Sequence, residues 1–376
     1  MGRGALSDVA YTSVAEKAKK AGSATHEGER RQQQGLGLHE LVDPAGFELI
    51  RRSISWLEPE DDHFVLLRGV AMLEETRLDT TASMGNNVDI AMEVLPKTYK
   101  LLSSGEAAVL ARYDLQMITS IFGDIQDAPK GPVLCRSQAE MDERIAAQMT
   151  LMVPVRDGGD VPEDPQYGIF GGAYLTAAGI NRYGLKYYDF TVSDAPGRHE
   201  IRPNWLLKIF GPSVFEKVAE NGFQIDRKNV PSTKQTVASL LERAHAFFLQ
   251  VGSSADATSF WRSVFGFDRC VIIPRVKLLP YVKAAIIGLT EGTLDLQTLE
   301  DYLRYANMSA EDARAIKRAV AHIPIGAQMA LPNFDKIPLR GAKFAKKGDI
   351  WPIGTVVTGV SAPAVAPETE ETDMWL

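Results

Sequence analysis

Cysteine is scarce in this sequence. Only Cys135 and Cys270 occur in 376 residues, far apart along the chain. A secreted disulfide framework would use more, so the two are expected as reduced, mostly buried thiols. A basic surplus is also missing: 41 Lys and Arg stand against 48 Asp and Glu, for a net charge of −7. That balance argues against a general nucleic-acid binder. No apolar run approaches the ~18 residues that a membrane span needs. The opening MGRGALSDVAYT has no apolar core of the kind a secretory signal carries, and Leu6 stands where the myristoylation pattern wants Ser or Thr. The six histidines show no His-x-x-x-His or related spacing, which sets zinc aside. There is no Gly-x-x-x-x-Gly-Lys-Ser/Thr phosphate loop and no internal repeat. These absences together lead to the expectation of a soluble cytoplasmic protein with no anchor of its own.

Hydrophobic residues make up 45% and charged residues 24%, enough to bury a sizeable core. The length fits one large domain with extensions, or two domains. Residues 1–40 are polar and end in Arg30-Arg31-Gln32-Gln33-Gln34, so an extended or mobile arm is expected. Leu41, Val42, Phe47, Leu49, Ile50, Ile54 and Trp56 form a lead-in that can dock on a core. Residues 62–292 alternate short apolar runs with amphipathic stretches. Candidate strands are 64–73 or 71–78, 115–122, 186–192, 245–251 and 270–273. Candidate helices lie between them. In 86–104, Val88, Ala91, Met92 and Leu95 recur at i, i+3, i+4 and i+7, and Pro96 interrupts the run with a kink or a new helix start. In 138–152, Met141, Ile145, Met149 and Met152 mark a core-facing stripe. In 166–180, Tyr167, Phe170, Tyr174 and Leu175 share a face, and Gly171, Gly172 and Ala173 allow close approach to a sheet. Pro280 opens a helix that Gly292 closes.

This alternation indicates a doubly wound, mostly parallel α/β sheet flanked by helices, occupying 41–292 with its lead-in. Residues 293–331 read as a helical appendage. Ser309 and Asp312 mark a helix start there, with Ala313, Ile316, Ala319 and Val320 as its apolar face. Residues 332–376 lose periodicity. They run from a basic stretch (Lys336, Arg340, Lys343, Lys346, Lys347) into a Pro/Ala/Glu tail expected to be flexible.

The most informative segment is Asp79-Thr80-Thr81-Ala82-Ser83-Met84-Gly85, after a candidate strand and before a candidate helix. Asp79, Thr81 and Ser83 place a carboxylate and two hydroxyls on alternate residues, which an extended turn points one way. Their oxygens can converge at the C-terminal edge of a sheet, where open α/β folds bind ligands. Hard oxygen donors suit Mg²⁺ or Mn²⁺, with Ca²⁺ a looser fit. In isolation an Asp-x-Thr-x-Ser triplet is also an ordinary helix cap.

The segment resembles the metal-ion-dependent adhesion site (MIDAS) of von Willebrand factor A-type (VWA) domains, Asp-x-Ser/Thr-x-Ser followed by a helix. The resemblance spans about residues 64–292 and is closest to intracellular bacterial members. It implies that Thr81 and Ser83 touch the ion. Asp79 would bind it directly or through water, and so would Asp194, which follows the strand Tyr187–Ser193. A partner's Asp or Glu would fill an open position, so that the ion bridges two proteins. An AAA-type ATPase is the partner class the resemblance suggests. The second loop departs from the family pattern. Gly158-Gly159-Asp160-Val161-Pro162-Glu163 supplies no Thr, and Asp160 or Glu163 would take its place as a ligand. The strand Met72–Leu78 is unusually charged for a central one, and Arg77 there needs a carboxylate nearby.

Other polar residues have plainer readings. Asp124 and Asp127 are either rim residues or solvated loop carboxylates. His199 lines the site or sits on a surface loop. The functional expectation is a non-enzymatic scaffold that binds a protein partner through its metal. One alternative is a structural or assembly protein with a degenerate metal site. The other is a Mg²⁺-dependent hydrolase, for which no nucleophile paired with a general base is evident.

Overall fold

The computed structural model describes residues 27–46, 51–104, 108–129, 131–142, 144–156, 158 and 161–351. Its centre is a six-stranded sheet in the order β5-β4-β3-β6-β7-β8. The strands are β3 (Ala71–Asp79), β4 (Asp114–Phe122), β5 (Leu134–Arg136), β6 (Tyr187–Ser193), β7 (Ala244–Gln250) and β8 (Cys270–Ile272). All pairings are parallel except β4 with β5. Strands β3, β4, β6 and β7 are buried along their whole length, as expected where helices cover both faces of a parallel sheet. Strands β4 and β6 are rich in β-branched and aromatic residues, which pack well on a pleated surface. A smaller antiparallel sheet joins β1 (Leu57–Glu60), β2 (His63–Leu66) and β9 (Lys343–Phe344) in the order β1-β2-β9.

The chain winds outward from β3 to β4 and then restarts from β6 on the other side of β3. The direction of winding therefore reverses between β3 and β6. Their carboxyl ends lie side by side, with Leu78 opposite Val192. A reversal of this kind leaves a crevice at the strand ends, the usual ligand position in an open α/β sheet.

Helices cover both faces, as the contacts of β3 show. On one side the helix Leu279–Glu291 places Lys283 Nζ 2.9 Å from Glu74 and 2.6 Å from Thr76 Oγ1. On the other, the helix Gln166–Phe170 continues as a wider π-turn over Gly171–Leu175 and lies against Arg77. A Cβ on Gly168 would come within 2.7 Å of Arg77 Cδ, and one on Gly172 would collide with Arg77 Nη2. The glycines thus make room for a buried guanidinium. Arg77 has its carboxylate partner in Asp189 of β6: Nη1 donates to Oδ1 at 2.6 Å, and Nη2 donates to Oδ2. Arg136 on β5 grips Glu75 in the same bidentate way, at 2.9 and 2.8 Å.

Pro96 separates the helices Asn87–Val94 and Lys97–Ser103. Gly292, left-handed at φ 77°, ends Leu279–Glu291. The helices Thr298–Tyr305 and Ala310–Val320 bury Leu299, Leu303, Ala313, Ile316 and Val320. The helix expected over 138–152 is shorter, Arg144–Thr150, although Met141, Ile145, Met149 and Met152 are all buried.

Both ends of the described chain are docked where arms were expected. Glu27–Gln33 is helical, and Gly28 packs on the backbone carbonyls of Leu151 and Met152 so closely that no Cβ would fit. Residues 332–351 are tied down by β9, by Asn333 Nδ2 donating to Tyr183 O at 2.9 Å, and by Trp351 stacking near Tyr183 and Arg182. Aperiodic sequence misled here because these segments are held by isolated contacts instead of a repeating face. Residues 1–26 and 352–376, the rest of the two expected arms, lie outside the described residues. Cys135 and Cys270 are free and buried, and burial pushes both thiols up to about 12.

Candidate metal centre

Asp79 is the last residue of β3, at the winding reversal. Its side chain is fully buried, and three donors hold it. Thr81 N and Thr81 Oγ1 donate to Oδ1 at 2.9 and 2.7 Å, and Ser193 Oγ at the end of β6 donates to Oδ2 at 2.5 Å. Thr80 turns away and donates to Phe122 O of β4 at 2.9 Å, which fixes the loop to the neighbouring strand. Thr81 is extended (φ −72°, ψ 167°), but Ala82–Met84 then forms a single tight helical turn. It is this turn, not an extended run, that brings Ser83 beside Thr81, with the two hydroxyl oxygens 3.3 Å apart. Gly85 is left-handed at φ 49°, a conformation other residues rarely adopt, and the following helix starts at Asn87.

Ser83 Oγ donates to Asp194 Oδ1 at 2.8 Å. This bond joins the loops after β3 and β6 across the crevice. Asp79, Thr81, Ser83 and Asp194 therefore meet in one place. Each hydroxyl proton is directed at a carboxylate, Thr81 toward Asp79 and Ser83 toward Asp194, which leaves oxygen lone pairs available to a cation.

The loop before Gln166–Phe170 closes the third side. Gly158 passes over the first loop, and a Cβ there would lie 3.6 Å from Thr81 Cβ. Asp160 lies outside the described residues. Glu163 is buried, anchored by its N–H to Pro196 O at 2.9 Å, and its Oε2 has no hydrogen-bond partner. Burial and then the facing charges of Asp79 and Asp124 push its carboxyl up to about 9. Asp79 is raised to about 6, chiefly by burial, with its hydrogen bonds opposing. At both carboxyls burial outweighs the hydrogen bonds, and a bound cation would offset it.

Asp124 and Asp127 are buried, not solvated. Arg198 bridges two carboxylates: Nη2 is 3.0 Å from Asp124 Oδ2 and Nε is 3.2 Å from Asp164 Oδ1. Asp164 also accepts from Ile125 N at 2.9 Å and is raised to about 7, first by burial and then by its hydrogen bond with Asp124. Sequence reasoning missed Asp164 and Arg198, because a loop arginine carries no signal of which acids it will clamp. His199 is exposed and leans on Phe260, ring centres 4.8 Å apart. Beside the crevice a hollow of about 580 Å³ is walled by Val161, Pro162, Tyr167, His199, Arg202 and Phe260.

Among the described residues, no three His, Cys, Asp or Glu side chains form a metal-ligand group. The donor set here is of another kind, two carboxylates with two hydroxyls between them. The set fits a hard divalent cation on chemical grounds: every donor is oxygen, and Glu163, whose buried Oε2 has no hydrogen-bond partner, feels the charge of Asp79.

No family model and no curated protein matches the chain. Among solved structures the chain is similar to a pilus adhesin, SpaC, from Lactobacillus rhamnosus GG, at 9% identity and a TM-score of 0.36. The match covers 63% of this chain and 34% of that one, so the chain spans about a third of that protein's length. The functional reading therefore rests on the site's own geometry.

Proposed function

We propose that the chain is a metal-dependent interaction module of the VWA kind, which binds a protein partner through a divalent cation at the β3–β6 crevice. The observation that carries this reading is the Ser83–Asp194 hydrogen bond at 2.8 Å, which closes the Asp79-Thr81-Ser83 cluster with a carboxylate 111 residues away. Thr81, Ser83, Asp79 and Asp194 would hold the ion, with Glu163 as the second-loop ligand. When bound, the ion would supply a positive centre that attracts a carboxylate from the partner. Mg²⁺ is the first choice, with Mn²⁺ or Ca²⁺ able to use the same oxygens. The protein's own part is to keep the two hydroxyl protons on Asp79 and Asp194, so that oxygen lone pairs face the cation. The hollow walled by Tyr167, Phe260 and Val161 would receive side chains flanking the partner's Asp or Glu. Glu163 adds negative charge beside the ion. A partner carboxylate would then be held less tightly than at a site with Thr in that position.

The test is calorimetric titration of Mg²⁺ and Mn²⁺ into metal-stripped protein, beside Asp79→Ala and Ser83→Ala. Saturable binding in the parent is expected, with loss in Asp79→Ala and a drop of about tenfold or more in Ser83→Ala. Chelator should then release any captured partner. Binding that persists in both variants would place the cation elsewhere, and no binding with a captured partner present would remove the metal from the function.

A further inference from the structure

A second cavity, of about 240 Å³, lies against the sheet face that carries Arg136. Four cations line it: Arg51, Arg52, Arg136 and Lys217. Glu220 is the one carboxylate on the described wall. Arg51 and Arg52 sit on a segment zipped to Ala177: Ala177 N donates to Arg51 O at 3.3 Å and Ser53 N to Ala177 O at 3.2 Å. Arg136 is locked by Glu75 through Nε and Nη2 at 2.9 and 2.8 Å. That grip uses one edge of the guanidinium. Nη1, on the other edge, has no hydrogen-bond partner, although Arg136 is only 1% exposed. A buried guanidinium nitrogen without an acceptor is costly, and a bound acceptor removes the cost.

The like charges also act on one another. Burial and then Arg136 lower Arg51 to about 9, against the opposing charges of Glu75 and Asp43. Burial and then Arg51 lower Lys217, with Glu220 opposing. A dianion inside the cavity would face all four cations at once, and planar guanidinium forks match tetrahedral oxyanions well. Besides Glu220 and Asn221, the rest of the wall carries apolar surface from Phe210, Val214 and Leu175.

We propose that this cavity binds a small phosphate-type dianion, inorganic phosphate or a compact phosphate monoester, with its oxygens on Arg51, Arg52, Arg136 and Lys217 and any organic part against Phe210 and Val214. The site is separate from the metal centre and does not depend on it.

The full chain would be titrated calorimetrically with inorganic phosphate, phenyl phosphate and benzoate in chloride buffer of matched ionic strength. Arg52→Gln and Lys217→Gln would be run in parallel. Both leave the Arg136–Glu75 pair intact, so unchanged melting temperatures without ligand are expected. Saturable binding of both phosphates is expected, tighter for phenyl phosphate and weakened about tenfold in each variant. No saturable binding of either phosphate overturns the proposal. So does an affinity unchanged in both variants, and so does benzoate binding more tightly than phenyl phosphate, which would assign the cavity to carboxylates.

Discussion

Glu163 is, at the scale of one residue, the candidate site's clearest cost to stability. Its carboxyl is buried beside Asp79 and Asp124, and one oxygen has no hydrogen-bond partner. With its carboxyl pushed up to about 9, Glu163 must take up a proton on folding at neutral pH, a cost that Gln does not carry. Glu163→Gln is expected to raise metal-free stability at neutral pH by roughly 1–2 kcal/mol, measured by urea denaturation in chelator. If Glu163 assists the cation, the same variant should weaken Mn²⁺ binding. A variant that is both destabilised and unaltered in binding would mean that Glu163 serves only to brace the loop. Asp79 differs because it is fully satisfied by Thr81 and Ser193, so its placement does not depend on an ion.

At the scale of the element, β3 is the unusual piece. A central strand of a doubly wound sheet is normally a plain apolar run, yet β3 carries Glu74, Glu75, Arg77 and Asp79, all buried. Alternation along the strand sends Glu75, Arg77 and Asp79 to one face and Glu74 and Thr76 to the other. Each face then supplies partners: Arg136 and Asp189 on the first, Lys283 on the second. Burial pushes Glu75 up, but Arg136 and Arg77 outweigh it and hold its carboxyl below the ordinary range. Such pairs contribute little net stability, yet removing one partner strands the other. Lys283→Met is therefore expected to cost about 3–5 kcal/mol in chemical denaturation, and Lys283→Met with Glu74→Leu should recover most of it. A double variant no more stable than the single one would show that packing, not charge, sets the loss. The covering helix is matched to this strand. Gly172→Ala would drive a methyl into Arg77 and Asp189 and should cost about 2–4 kcal/mol, read as a lowered denaturation midpoint.

For the whole molecule, the titration of buried groups sets how stability follows pH. His245 on β7 is buried, stacked on Tyr188, and its Nε2 lies 2.9 Å from Gln328 Oε1. Burial lowers it to about 3 from an ordinary 6.5. The unfolded chain therefore binds a proton there that the folded one refuses. Stability from this group is present above pH ~6.5 and is lost as pH falls toward ~3, at up to about 1.4 kcal/mol per pH unit. Acid denaturation of the parent should be steeper over pH 4–6 than that of His245→Gln by about one proton, as seen in the pH dependence of the urea midpoint corrected for slope. Equal pH dependence would show that the histidine already titrates in the folded state. The described molecule has no helix long and apolar enough to cross a membrane.

The sequence by itself determined what depends on neighbours along the chain. Most of the parallel strands were legible as short runs rich in aliphatic or aromatic residues, while the charged β3 was placed only as 64–73 or 71–78; the break at Pro96 and the stop at Gly292 were legible because backbone chemistry there is local. The Asp79–Gly85 segment was legible as an oxygen-rich loop after a strand, and Gly171-Gly172 as a place where helix and sheet approach. The tertiary structure alone decided which distant groups meet. Strand β5 is three residues long and has no pattern of its own, yet it delivers Arg136 to Glu75. Nothing in the loop at Asp124, Asp127 or Glu163 distinguishes a buried carboxylate from a solvated one. Polarity favours solvent, and only the fold of the β3, β4 and β6 ends over these residues withdraws it. The arms differ from expectation for the same reason, since residues 27–40 and 332–351 dock on surfaces that exist only once the sheet has formed. Local propensity acts over a few residues, whereas a buried ion pair or a ligand cluster is fixed by packing between segments a hundred residues apart.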